Sequence, residues 1–369
     1  MMPVYNFNLE EKKVMIVFGT RPELIKLIPL LIEIDNSELR RFFITVYLTQ
    51  HTSMIEDQLN FWNIQPDVTL TITRSKLTQL LSSSLTQLQE LSDQLPSLKY
   101  VLIQGDTNTA LSVSNFTFLN QLKLLHLEAG LRSQNLSSPF PEEYNRLIAS
   151  KVAYFHFAPS ENAKQNLLNE GVRQDDIMVT GNTGIDALKL ALSKTGMISE
   201  EEYVRKNVVI TMHRRENKNY FQALIQLILI LKSKYTHLHF VWITHPNYTV
   251  SDKELQRLLP GIRVSSALQY MEFIELYKHA KFIITDSGGI TEEASHLGIP
   301  IVVYRNVTDR PEPLQMNHPM LVSLDQEEII SFFNNNEHTS IEEKIYYGDG
   351  NASTRIFEWI KEKLMVYDC

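Results

Sequence analysis

Along most of this chain, short apolar runs rich in β-branched residues alternate with longer stretches whose apolar positions return with the period of a helix. Val14–Phe18, Thr45–Leu48, Tyr100–Ile103, Lys123–His126 and Tyr154–Phe157 read as strands in the first half. Asn207–Thr211, His239–Ile243, Arg263–Ser265, Phe282–Thr285 and Ile301–Tyr304 repeat the scheme in the second. Helical patterns such as Glu23–Ile34 and Leu80–Leu91 lie between them, and the tail Ala352–Met365 carries Ile356, Ile360 and Leu364 at helical spacing. This alternation predicts an α/β fold of parallel sheets with helices on both faces. The polar segment Leu192–Lys206 has no strand pattern, so a change of domain is expected near it, close to the turn Gly181-Asn182-Thr183-Gly184.

Where the strands stop, polar clusters begin. Gly19-Thr20-Arg21-Pro22-Glu23 follows the first strand, Gly105-Asp106-Thr107 a later one, and His126-Leu127-Glu128-Ala129-Gly130-Leu131-Arg132 another. Met212-His213-Arg214-Arg215-Glu216-Asn217 follows the first strand of the second half. Ligands of open α/β sheets bind beyond the carboxyl ends of strands. Two sheets whose active edges face a shared cleft would bring all these clusters together.

One break stands out. The strand at Phe282–Ile284 ends in Asp286-Ser287-Gly288-Gly289, and a helix follows with Ile290, Ala294 and Leu297 on one face until Gly298 and Pro300 stop it. Glycines at a strand-to-helix turn let a bulky anion approach the backbone, and the helix N-terminus favours phosphate. Glu292 and Glu293 lie one turn further on, in reach of a ribose attached to that phosphate. Alone, the same residues describe a tight turn with solvated carboxylates.

Composition narrows the classes. A chain of 369 residues exceeds the usual single core, so two domains are expected. A net charge of −8 argues against a nucleic-acid surface, and the single Cys369 rules out an internal disulfide or a thiolate metal cluster. With no run of membrane-spanning length and no basic-then-apolar start, the expected location is the cytoplasm. Neither GxGxxG nor GxxxxGK[ST] occurs, which counts against a dinucleotide fold or a P-loop. The pairs His126/Glu128 and His213/Glu216 lack a third ligand at suitable spacing, so no metal is expected.

The remaining chemistry is charge. Arg21, Lys26, Arg132, Arg214, Arg215, Arg305 and Arg310 supply more cation at strand ends than solubility requires, and a diphosphate would account for some of them. Asp106, Glu128, Glu142 and Glu143 are candidates for general acid/base work. For Glu143 and Arg146, three apart on one helix face, a salt bridge is the better reading.

With these clusters in order, the chain resembles the non-hydrolysing UDP-N-acetylglucosamine 2-epimerase family. The matching tags are Phe18-Gly19-Thr20-Arg21-Pro22-Glu23 with Lys26, Gln104-Gly105-Asp106-Thr107, His126 to Arg132, and Pro141-Glu142-Glu143-Tyr144-Asn145-Arg146. Thr180-Gly181-Asn182-Thr183, Thr211 to Asn217, His245-Pro246-Asn247, Asp286 to Pro300, Arg305 with Thr308-Asp309-Arg310-Pro311-Glu312, and Tyr347 to Ser353 complete the series.

The resemblance implies a GT-B architecture: two Rossmann-like, doubly wound parallel-sheet domains with a cleft between them. It puts residues 1–180 in the first, with a helix at 352–369 packing back on it, and 181–351 in the second, UDP-binding one. It implies a cytoplasmic homodimer that interconverts UDP-GlcNAc and UDP-ManNAc without NAD or metal, through 2-acetamidoglucal, for bacterial cell-surface polysaccharide. Asp106, Glu128 and Glu142 are then the acid/base carboxylates, Lys26 supports them, and His213 and Arg21 contact the diphosphate. Ser287, Gly288 and Gly289 cradle phosphate, Glu293 holds the ribose, Phe273 lies near the uracil, and Arg146 and Arg310 join the substrate contacts.

Gln50 and His51 match the segment where family members bind a second UDP-GlcNAc as activator, but Thr52 replaces an arginine, so weak or absent activation is expected. A hydrolysing relative, an epimerase of another UDP-2-acetamido sugar, a GT-B glycosyltransferase and an idle nucleotide-sugar-binding module remain the alternatives. The retained carboxylates speak against the last.

Overall fold

Apolar runs without a polar interruption become the central strands of two sheets. The computed structural model describes residues 8–49, 53–73, 76–194, 206–212, 219–244, 250–339 and 342–365. The chain divides into two compact units, Met1–Ala187 with Tyr347–Cys369, and Leu188–Tyr346, the change falling inside the helix Thr183–Lys194.

In the first unit the strands are β1 (Val14–Phe18), β2 (Phe43–Thr49), β3 (Val68–Thr71), β4 (Tyr100–Gln104), β5 (Lys123–Leu127), β6 (Ala153–Ala158) and β7 (Ile177–Val179). All pair in parallel in the order β3-β2-β1-β4-β5-β6-β7. Every residue of β1, β2 and β4 is buried, as expected for strands covered on both faces. The chain winds outward from β1 to β3 and then restarts on the other side of β1 with β4. The carboxyl ends of β1 and β4 therefore flank a topological switch point, where α/β sheets open a crevice.

The helix Ala352–Met365 belongs to this unit. It buries Ile356, Phe357, Ile360 and Leu364, packs against the helix Arg21–Asp35, and brings Trp359 to 4.2 Å from the Phe155 ring. Its first turn is capped from a distance: Asp186 accepts the Ser353 N–H at 2.7 Å, which satisfies a donor the helix itself cannot. Before that helix the backbone passes so close to Gly181 that a Cβ on Gly181 would sit 2.9 Å from the Gly348 Cα.

The second unit follows the same plan with β8 (Asn207–Thr211), β9 (His239–Ile243), β10 (Arg263–Ser265), β11 (Ala280–Thr285), β12 (Ile301–Val303) and β13 (Met320–Val322), ordered β10-β9-β8-β11-β12-β13. Val208, Ile210, Trp242, Phe282, Ile284 and Phe333 form the middle of its core. Its switch point lies between β8 and β11. The parallel, doubly wound sheets expected from the alternating pattern are therefore both present.

The strands β3, β7 and β13 are not among the sequence-based expectations. All three are edge strands of three or four residues, each half open to solvent. Three or four residues are too few to tell a strand from any other short apolar run by pattern alone. Among the described residues no helix is long and apolar enough to cross a membrane.

Candidate active site

At the first switch point, Thr20 ends the turn after β1 and caps the helix Arg21–Asp35. Glu23 completes a capping box, accepting the Gly19 N–H at 3.0 Å and the Thr20 N–H at 2.6 Å. Its other oxygen accepts the Thr107 hydroxyl at 2.5 Å, and Thr107 caps the helix Asn108–Leu119 that follows β4. Glu23 thus ties the β1 turn to the β4 turn. Burial pushes its carboxyl pKa up, against the pull of these hydrogen bonds. Arg21 is the first residue of its helix and half-buried.

Lys26 stands one turn further along, and its ammonium lies 2.5 Å from Glu128 Oε2. Gln104, the last residue of β4, donates its side-chain amide to the same oxygen. Glu128 follows β5 with φ 62°, a backbone region that non-glycine residues seldom occupy and that costs of order 1–3 kcal/mol. The contacts from Lys26 and Gln104 hold the side chain in that position. Just before it, His126 is buried, with Nε2 2.9 Å from the Gly105 carbonyl. Since the carbonyl only accepts, Nε2 carries the proton, and burial lowers the histidine pKa to about 4.

Asp106 is held from two directions. Arg146 reaches its Oδ2 through Nε at 2.7 Å and Nη2 at 2.6 Å, and Asn145 donates to its main-chain carbonyl at 2.8 Å. The Glu143–Arg146 salt bridge anticipated from their spacing is also present, at 3.1 Å, and Glu143 accepts the N–H groups of Ser133 and Gln134. The guanidinium therefore bridges two carboxylates, one of them the candidate acid/base residue Asp106.

Glu142, first residue of the helix Glu142–Val152, differs. Its Oε2 is buried and has no hydrogen-bond partner among the described residues. The Arg132 guanidinium is bonded to Glu170 at 2.7 Å and to Ser150.

In the second unit, β11 leads through the buried Asp286 to Ser287, which precedes the helix Gly288–His296 and makes no capping bond with its side chain. A Cβ on Gly289 would meet nothing within 4 Å. A Cβ on Gly288 would collide with the guanidinium of Arg310. Arg310 is buried and paired with Glu292 at 2.7 Å and with Asp309, which also binds Arg305 at 3.3 Å. Glu292, set beside the ribose in the sequence reading, is thus engaged with a protein cation.

Glu293 is buried and accepts the hydroxyl of Tyr270 at 2.9 Å and that of Tyr277. Phe273, on the same helix Tyr270–Tyr277, is half-buried with its ring 4.9 Å from Tyr277. His213, Arg214, Arg215, Gln50 and His51 lie outside the described residues. No group of three His, Cys, Asp or Glu side chains among the described residues forms a metal-ligand set.

Sequence reasoning missed Gln104, Asn145, Tyr270 and Tyr277. Gln104 lies inside a quoted tag and Asn145 beside Arg146, so position could have flagged both. Nothing local marks the two tyrosines.

Comparison with known proteins identifies the family. The family model for UDP-N-acetylglucosamine 2-epimerase matches residues 38–361. UDP-N-acetylglucosamine 2-epimerase of Salmonella borreze is 36% identical over 94% of this chain and 97% of its own. The crystal structure of UDP-GlcNAc 2-epimerase from Neisseria meningitidis bound to UDP-GlcNAc superposes with a TM-score of 0.88 at 33% identity, covering 95% of this chain and all of that one. A co-structure of S. aureus MnaA with UDP gives 0.86 at 36% identity, over 96% and 97%. By sequence and by fold, this chain belongs to the UDP-N-acetylglucosamine 2-epimerase family.

Proposed function

We propose that the protein interconverts UDP-GlcNAc and UDP-ManNAc by eliminating UDP and adding it back, without net hydrolysis. The C2 proton of an acetamido sugar is not acidic enough to be removed alone. In elimination a base takes that proton, its bonding pair forms the C1–C2 double bond, and the C1–O bond breaks so that UDP leaves with its electrons. In re-addition the C1–O bond forms again and a proton is delivered to C2 on the opposite face. Inversion therefore needs acid/base groups on two faces of the ring.

Asp106, Glu128 and Glu142 supply that set in this reading. Arg146 pairs with and orients Asp106, and Lys26 does the same for Glu128. Glu142 completes the set, with a buried oxygen that has no hydrogen-bond partner among the described residues. Arg146, counted among substrate contacts from sequence, acts here as the support of Asp106. Arg21 and His213 receive the departing diphosphate, Ser287, Gly288 and Gly289 cradle phosphate at a helix N-terminus, Phe273 faces the base, and Glu293 takes the ribose. Arg310, packed over Gly288, braces that turn. The family resemblance extends the reading to a homodimer working in the cytoplasm.

The observation that carries the reading is the pairing at the first switch point, where cations from two helices hold acid/base candidates at the ends of β4 and β5. Incubation with UDP-GlcNAc in deuterated water tests it by NMR. Expected products are UDP-ManNAc and UDP-GlcNAc carrying deuterium at C2; free ManNAc as the main product overturns it.

A further inference from the structure

Two phenols converge on one buried carboxylate in the second unit. Tyr270 begins the helix Tyr270–Tyr277 and Tyr277 ends it, two turns apart and so on one face. The Tyr270 hydroxyl donates to Glu293 Oε1 and the Tyr277 hydroxyl to Oε2, so each carboxylate oxygen has its own phenol. Tyr277 is fully buried and Tyr270 5% exposed, while Glu293 retains 8%.

Packing alone does not explain the hydroxyls. Phenylalanine would fill nearly the same volume at position 277 with no polar atom to desolvate, and a buried hydroxyl is favourable only when it is hydrogen-bonded. The bond it makes is to a carboxylate, a charge-assisted contact of the stronger class. Burial and the nearby Glu293 push the Tyr277 phenol well above its ordinary value near 10, so it remains a donor at working pH. A carboxylate gripped at both oxygens has a fixed plane as well as a fixed position. That is what two adjacent hydroxyls of a ligand require of a shared acceptor.

We infer that Tyr270 and Tyr277 are positioning residues that hold Glu293 for a vicinal diol, and thereby set a preference for a ribonucleoside diphosphate over its dideoxy analogue. The inference rests on the proposed contact between Glu293 and the ribose.

The test is calorimetric binding of UDP and of 2′,3′-dideoxy-UDP to the full-length protein and to Tyr270→Phe, Tyr277→Phe and Glu293→Gln. The wild type is expected to bind UDP roughly tenfold more tightly than the dideoxy ligand, and each tyrosine variant to lose about three- to tenfold for UDP alone. Equal losses for both ligands mark a merely structural role and overturn the inference; so does the absence of loss for either. If Glu293→Gln abolishes the discrimination while both tyrosine variants keep it, the inference fails and the ribose contact stands. If the wild type itself does not discriminate, the ribose contact fails and the inference with it. Testing the tyrosines separately keeps the question open to measurement should one variant misfold.

Discussion

At the switch point of the first sheet, between β1 and β4, the chain places carboxylates and the cations that hold them. At the corresponding point of the second sheet, between β8 and β11, it places a glycine turn and a helix N-terminus. The strand orders match, since both sheets run outward from their first strand and restart beside it. The backbone thus offers the same crevice twice. In the proposed reading, side chains suit one to moving protons and the other to holding an anion. The cations differ as well. Lys26 and Arg146 grip acid/base candidates, whereas Arg310 and Arg305 are tied to Asp309, and Arg310 also to Glu292, behind the glycine turn.

Removing charge from the first unit should produce the largest effect. Asp106→Asn, Glu128→Gln and Glu142→Gln are each expected to slow turnover by about 10²–10⁴-fold while UDP affinity stays near the wild-type value. Steady-state kinetics beside UDP titration separates the two quantities. Near-normal turnover in all three would erase the division of labour between the units.

A smaller effect is expected in the second unit. In Gly288→Ala the added methyl meets a guanidinium that two carboxylates hold in place, so the turn must shift. Overpacking of this kind costs about 1–3 kcal/mol. UDP affinity should fall about tenfold, with turnover at saturating substrate much less affected. A variant that binds UDP normally would show that the turn is not the anion site.

The third effect concerns acid stability rather than turnover or binding. Folded His126 and His156 have pKa values lowered by burial to about 4 and about 3, against an ordinary 6.5 in the unfolded chain. As pH falls below 6.5 the unfolded state therefore binds protons first, and stability drops until those folded values are reached. The slope is about 1.4 kcal/mol per pH unit for each histidine. Burial lowers His318 in the second unit to about 4, with the same consequence there. Urea denaturation between pH 6.5 and 4 should show a shallower decline in His126→Gln combined with His156→Gln. An unchanged decline would assign acid sensitivity elsewhere.

Much of this molecule could be read from local pattern. Central strands are buried on both faces, so Val14–Phe18 and Phe282–Ile284 announce themselves as apolar runs. The Ser287-Gly288-Gly289 turn follows from glycine and from the helical period after it, and the salt bridge from Glu143 to Arg146 follows from their spacing on one helix. Such features depend only on residues within a turn or two of each other. The edge strands β3, β7 and β13 escaped because three or four residues give too little length for a pattern to stand out.

Partner choice needed the tertiary structure. Lys26 meets Glu128 across 102 residues of sequence, and Arg146 meets Asp106 across 40, because strand order brings the ends of β1, β4 and β5 side by side. Tyr270 and Tyr277 meet Glu293 because the helix carrying them packs beside β11 and β8. The same sequence tags that exposed the carboxylates could not say which cation each would receive. Chain periodicity encodes which face a residue takes, while the identity of its partner is set by which distant strand lies next to it.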